Sequence, residues 1–204
     1  MKESRLTPLF PIPLYITELD REFSRTELAF VNKTKKASHK SEGNKISNNN
    51  YVLNETVFQP LKTQLEYAVR DYFQKVLAAT HKVQPYITQS WLNYTEKKQF
   101  HHIHCHPNSF ISGVLYISGD LMDKIKFFKP NSYQLIQPEK TKFNLFNSET
   151  WTIPVKPGLV FLFPSSLVHC VDFKKSSTRR VSLAFNVFVK GTLGDNRALT
   201  ELIL

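Results

Sequence analysis

Residues 179–190 read RRVSLAFNVFVK, and from Val181 every second side chain is apolar: Val181, Leu183, Phe185 and Val187. Between them stand Arg180, Ser182, Ala184 and Asn186. Side chains two apart share one face of a β-strand. The apolar set therefore belongs in a core, and the polar set lines a second, inner space. A guanidinium in such a space needs an anionic partner, because a buried unpaired charge is costly. A carboxylate held by the two-pronged guanidinium fork is the natural match. At an exposed edge the same arginine would make only a surface salt bridge.

Working back from this strand, short strand-like runs dominate after Pro85: 86–94, 110–118, 124–129, 150–155, 158–163 and 167–173. Gly119-Asp120, Lys129-Pro130-Asn131 and Pro157-Gly158 separate them as turn signals. No long helical pattern interrupts them, which argues against a parallel α/β sheet and for a sandwich, barrel or jelly roll. Before Pro85 the chain differs. PLFPIPLYI (8–16) reads as an extended edge segment, since its prolines forbid central-strand hydrogen bonding. Residues 18–32 carry a moderate helical pattern. Residues 32–50 show no apolar periodicity and are expected to form a mobile loop. Residues 54–79 give the clearest helix, with Asn54 as candidate N-cap and Pro60 as a possible restart or kink. The expectation is one domain over 1–204. Residues 1–84 would form an extended segment and helical layer, 85–190 the β core, and 191–204 a tail.

The stretch HHIHCHPNSFISGVLYI (101–117) packs four of the seven histidines into six residues before an apolar strand. In a regular strand His102, His104 and His106 would share a face, with His101 pointing away. Imidazoles at i and i+2 can bind one metal, together with a distant histidine brought alongside by sheet closure. Imidazole suits Fe, Zn, Cu and Ni. His169, in PGLVFLFPSSLVHCVDF, is the C-terminal candidate. Cys105 and Cys170 adjoin candidate ligands and raise a zinc alternative. Each follows a histidine by one residue, however, and so faces the other way in a strand.

With 27 basic and 17 acidic residues the formal net charge is +10, which favours anionic partners such as nucleic acid or phosphorylated substrates. The lysines lie mostly in loops such as 33–45 and 138–142, so a solvated surface explains most of the excess. The two cysteines make no disulfide framework and fit a reducing compartment. Pro8, Pro11 and Pro13 break any leader-type apolar run, and no window reaches the roughly 20 apolar residues of a membrane span. A cytoplasmic protein with no membrane partner is expected.

HCHPNSFISGVLYI, PGLVFLFPSSLVH and RRVSLAFN, in that order, resemble the 2-oxoglutarate/Fe(II)-dependent oxygenases of the group with an H-x-H-P-x-S-x-x-S-G strand. PLFPIPLYI and SWLNYTEKKQFHHIHCH (90–106) are similar too. The resemblance covers most of the chain, with 32–50 and 130–148 as insertions. It implies a double-stranded β-helix, a jelly roll holding iron at its open end, with Fe(II) and 2-oxoglutarate as cofactors and O2 as co-reactant. By its pattern His104 and His169 are iron ligands. Arg180 binds the far carboxylate of 2-oxoglutarate, with Ser182 beside it, and Asn93 supports the same cosubstrate. Trp91 is assigned to packing. The usual carboxylate two residues after the first ligand is replaced by His106. Three outcomes are open: His106 is the third ligand, water fills a two-histidine site, or Asp120 swings in. The implied reaction is hydroxylation of a substrate with release of succinate and CO2. A cupin-like metal-binding protein or isomerase without 2-oxoglutarate is the alternative, and a basic nucleic-acid-binding protein a third. The loop 119–148 is expected to rim the cavity, with Tyr133 and Phe143 able to stack on a substrate. The substrate and the oligomeric state are not legible.

Overall fold

The computed structural model describes residues 3–130, 136 and 138–204. In chain order these form β1 (Tyr15–Glu18), α1 (Arg25–Lys36), β2 (Ser38–Lys40), β3 (Lys45–Ser47), α2 (Gln59–Lys75), β4 (Val83–Thr95) and β5 (His101–His104). They continue with β6 (Ile111–Ser118), β7 (Lys124–Phe128), β8 (Thr150–Pro154), β9 (Leu159–Pro164), β10 (His169–Val171), β11 (Arg180–Leu193) and β12 (Leu202–Ile203). The large sheet runs β1-β9-β6-β11-β4-β3-β2, with β12 on β11, and the small sheet runs β5-β10-β7-β8. The strands pair antiparallel within both sheets. This is the expected mainly β, double-stranded β-helix core with N-terminal helices.

Period-2 alternation builds the layers. Leu92 and Tyr94 of β4, Leu115 and Ile117 of β6, Val160 and Leu162 of β9, and Val181, Leu183, Phe185 and Val187 of β11 pack into one core with the helices. Val31 of α1 and Leu61, Leu65, Val69 and Phe73 of α2 join them there. The alternate residues turn the other way. Val114, Tyr116, Phe161 and Phe163 of the large sheet form a second core with Ile125 and Phe127 of β7 in the small one. β6 and β9 thus carry apolar side chains on both faces, one towards the helices and one towards the facing sheet, while β11 turns Arg180, Ser182, Ala184 and Asn186 away from the helix-side core.

The N-terminal region differs from its expected form. The helix over 18–32 begins only at Arg25, because Ser24 caps it. Ser24 Oγ accepts from the Glu27 amide at 3.2 Å, and the Glu27 carboxylate accepts from the Ser24 amide at 2.7 Å. It then runs on to Lys36. The stretch expected as a mobile loop forms the β2–β3 hairpin, which pairs with β4 through Lys45↔Tyr94 and Ile46↔Asn93. Backbone hydrogen bonding to an open sheet edge supplies the order that side-chain periodicity does not signal. Asn54 is not an N-cap. It closes a 3-10 turn, and α2 starts at Gln59 with Pro60 in its first turn, where a missing N–H is tolerated. β1 lies at the edge of the large sheet, just after the prolines. Among the described residues no helix is long and apolar enough to cross a membrane.

Candidate metal and cosubstrate site

β5 and β10 bring the histidines together. His104 pairs with His169, and His101 pairs with Val171, so three steps on β5 match two on β10. The extra residue is a β-bulge. It reverses the alternation and puts His101 on the same side as His104, contrary to the reading of a regular strand. His101, His104, His106 and His169 all line one pocket. The ligand nitrogens of His104, His106 and His169 lie within 4.8 Å of one another. Two of these rings are stacked, His106 on His169 at 5.3 Å and 12°, and Trp91 stacks on the same His106 at 5.6 Å and 24°, while His104 is tilted against both histidines. Trp91 therefore both packs and walls the pocket.

Each of the three rings is oriented by its far nitrogen. His104 Nδ1 lies 2.8 Å from the His102 carbonyl, and His169 Nδ1 lies 3.0 Å from the Leu167 carbonyl. His106 Nδ1 lies 2.8 Å from Asn186 Oδ1. Oxygens of this kind accept, so Nδ1 carries the hydrogen and Nε2 keeps its lone pair. Behind Asn186 runs a hydroxyl chain. Ser112 Oγ is 3.4 Å from Asn186 Oδ1 and 2.8 Å from Ser165 Oγ, which donates to Ser109 Oγ at 2.8 Å. The two serines of the H-P-x-S-x-x-S-G run thus brace the His106 support. Burial and the neighbouring rings hold the imidazoles neutral: His106 falls to about 4 and His169 to about 3, and His104 is also lowered. Neutral rings with free lone pairs are what a borderline divalent metal requires.

Arg180 is 3 % exposed on the strand face that also presents Ser182 and Ala184 to the pocket. Its guanidinium is not an empty fork. Nη1 donates to Asp123 Oδ1 at 2.9 Å, while Nη2 is buried with no partner. Asp123 Oδ2 accepts from the buried Lys174 ammonium at 2.7 Å, and Lys174 also reaches Asp120 at 2.9 Å. Asn93 lines the pocket with a buried, unpartnered Oδ1. The unpaired Nη2 and the three free Nε2 atoms are the features that an anionic cosubstrate and a metal would satisfy, so the residues fit Fe(II) and 2-oxoglutarate.

Asp120 is not drawn to the histidines. Lys174 and Ser176 hold its carboxylate, and it belongs to no ligand cluster among the described residues. Neither cysteine enters such a cluster; Cys105 is exposed and Cys170 is buried on the far side of its strand alternation. Tyr133 lies outside the described residues. Phe143 is 67 % exposed and is not among the pocket-lining side chains; Ile125 is the contribution of 119–148 to the wall. The sequence analysis turned His101 away from the pocket it lines, and it did not single out Tyr116, Ile125, Phe163 and Val171, which also line it, or Asp123, which holds the arginine. Alternation on β6 could have marked Tyr116; the partnership of Asp123 had no sequence signal.

Residues 89–186 match the family described as "Putative 2OG-Fe(II) oxygenase". The epimerase SnoN from nogalamycin biosynthesis is similar in structure, with a TM-score of 0.63 at 12% identity, covering 87% of this chain and 78% of that one. HygX from Streptomyces hygroscopicus, solved with nickel, 2-oxoglutarate and hygromycin B bound, has a TM-score of 0.57 at 11% identity, covering 86% and 82%. A prolyl-4-hydroxylase from Pseudomonas putida has a TM-score of 0.57 at 12% identity, covering 86% and 92%. No curated protein matches in sequence. At these identities the three structures share the fold, and the match to the oxygenase family model falls on the strands that bear the site, residues 89–186.

Proposed function

We propose that this chain is a 2-oxoglutarate- and Fe(II)-dependent dioxygenase that hydroxylates its substrate with O2. His104, His106 and His169 hold the iron. Arg180 receives the far carboxylate of 2-oxoglutarate through Nη2, with Ser182 and Asn93 beside it. The observation that carries this reading is the placement of three oriented imidazoles on the pocket whose β11 wall continues to a buried arginine with one unpaired N–H group. When bound, Fe(II) and 2-oxoglutarate supply an oxidation of a substrate C–H bond by O2, with succinate and CO2 leaving.

The chain's own residues orient and shield. The Nδ1 anchors keep each ligand ring in one tautomer. Trp91 stacks on His106 and fixes its plane. Val114, Ile125, Phe163 and Ala184 form an apolar wall that excludes water. An all-imidazole set leaves a divalent ion with its full charge, which favours the dianionic cosubstrate over water. The two free thiols fit a reducing, cytoplasmic setting.

A second reading, a metal-binding protein of the same fold that does not use 2-oxoglutarate, takes support from Asp123, which already neutralises Arg180. Calorimetry with the inert analogue N-oxalylglycine on the Fe(II)-loaded protein separates the two. Under the proposed function the analogue binds, Arg180→Gln removes the heat, and succinate forms only with Fe(II) and 2-oxoglutarate together. A folded protein that neither binds the analogue nor releases succinate over a range of candidate substrates is not this enzyme. The fold of the epimerase SnoN is shared, so mass analysis of the product, a gain of one oxygen, tests hydroxylation itself.

A further inference from the structure

The histidine cluster holds more donors than the iron site uses. His101, His102 and His104 form a second set whose ligand nitrogens also lie within 4.8 Å of one another. The β5 bulge creates it. His101 stacks on His104 at 4.6 Å and 17°, and the His102 ring lies 4.8 Å from that of His104 and 5.2 Å from that of His101. His102 Nδ1 is buried with no hydrogen-bond partner. A buried polar atom left unpaired is costly, and a metal bond is one way to satisfy it. No carboxylate joins this set.

We propose that His101, His102 and His104 form a second transition-metal site that overlaps the iron site and takes Zn2+ or Cu2+. The inference deepens the reading of His104, His106 and His169 as iron ligands. His104 belongs to both sets, yet it has one nitrogen to give, because its Nδ1 is bonded to the His102 carbonyl. The two sites therefore exclude each other. Three neutral imidazoles carry no bias towards iron, and at such a site Cu2+ and Zn2+ bind more tightly than Fe2+. Zinc–imidazole bonds of about 2.0–2.1 Å require the rings to close on the ion, a movement of rotamer size. A Zn2+ or Cu2+ ion seated on β5 takes His104 from the iron and switches the enzyme off, in competition with Fe(II).

Zn2+ calorimetry on the full chain carrying His106→Ala and His169→Ala tests the site with the iron set disabled. The expected result is one Zn2+ per chain with a Kd of about 10 μM or tighter, weakened about tenfold or more when His102→Gln is added. No Zn2+ binding in the double variant, or no effect of His102→Gln, overturns the proposal. If the double variant does not fold, competition on the otherwise natural chain decides. Zn2+ should displace Fe(II) from the anaerobic Fe(II)–2-oxoglutarate complex, read by its charge-transfer absorption. With His102→Gln it should need about tenfold more Zn2+; an unchanged Zn2+ requirement overturns the proposal. Failure of the proposed function looks different: no charge-transfer band forms with Fe(II) and 2-oxoglutarate, while Zn2+ still binds through His102.

Discussion

Gly113 shows how little freedom single residues have around this site. A Cβ added there would sit 2.1 Å from the Phe185 ring, which is fully buried in the helix-side core. The glycine of the S-G pair is thus a packing requirement: the ring of its cross-strand partner Phe185 lies over it in the space a Cβ would take. Gly113→Ala should destabilise the protein by about 1–3 kcal/mol or more through overpacking, seen as a lower urea midpoint at unchanged slope; an unaltered midpoint would refute it. Asn186 matters for a different reason. Its Oδ1 lies 2.8 Å from His106 Nδ1 and so holds that ring. Asn186→Ala should leave the fold intact and weaken Fe(II) binding about 10–100-fold, measured by anaerobic titration. Equal affinity in both proteins would remove His106 from the ligand set.

At the scale of elements, the β5 bulge and the β6–β7 connection decide the site. The bulge breaks the one-in-two pattern and brings His101 to the same pocket as His104. The connection places Asp123 between two buried cations. Side chains of Arg180, Asp123 and Lys174 are 4 %, 4 % and 1 % exposed. Removing the shared anion leaves Arg180 without its carboxylate in a dry environment and Lys174 with Asp120 alone. Asp123→Ala is therefore expected to cost about 3–5 kcal/mol, and Asp123→Asn less, since it keeps a hydrogen-bond acceptor. Thermal unfolding of both variants checks the order; equal loss would show that shape rather than charge holds this corner.

Across the whole molecule, pH acts chiefly through the histidine cluster. Burial, then the neighbouring rings, lowers His106 to about 4 and His169 to about 3 from an ordinary 6.5. Below 6.5 the unfolded chain takes up protons that the native rings refuse. The unfolded state then binds more protons, so stability falls as pH falls. The metal-free protein should lose stability from about pH 6.5 down to about pH 3, where the native rings finally charge. Bound metal, which needs neutral rings, should leave the upper part of that slope unchanged and extend it to lower pH, because the native rings then stay unprotonated. Denaturant titrations at a series of pH values, with and without Zn2+, measure both; a flat profile for the metal-free protein would contradict the burial of these rings.

Much of this architecture was legible in one dimension. The resemblance to the oxygenase family nominated His104, His106, His169, Arg180, Ser182 and Asn93 for their roles, while alternation alone assigned β4, β6, β7, β9 and β11 and separated the core face of β11 from its pocket face. Alternation could do so because a strand with one face in a core must repeat every second residue. The β2–β3 hairpin was invisible, since its order comes from backbone hydrogen bonds to β4. The placement of His101 inside the pocket, the capture of Arg180 by Asp123 and the retreat of Asp120 to Lys174 depend on a register shift and on residues more than fifty positions apart. Local sequence sets which way a regular strand turns its side chains. Which charges meet, and where the strand breaks its own rule, only the closing of one sheet over the other decides.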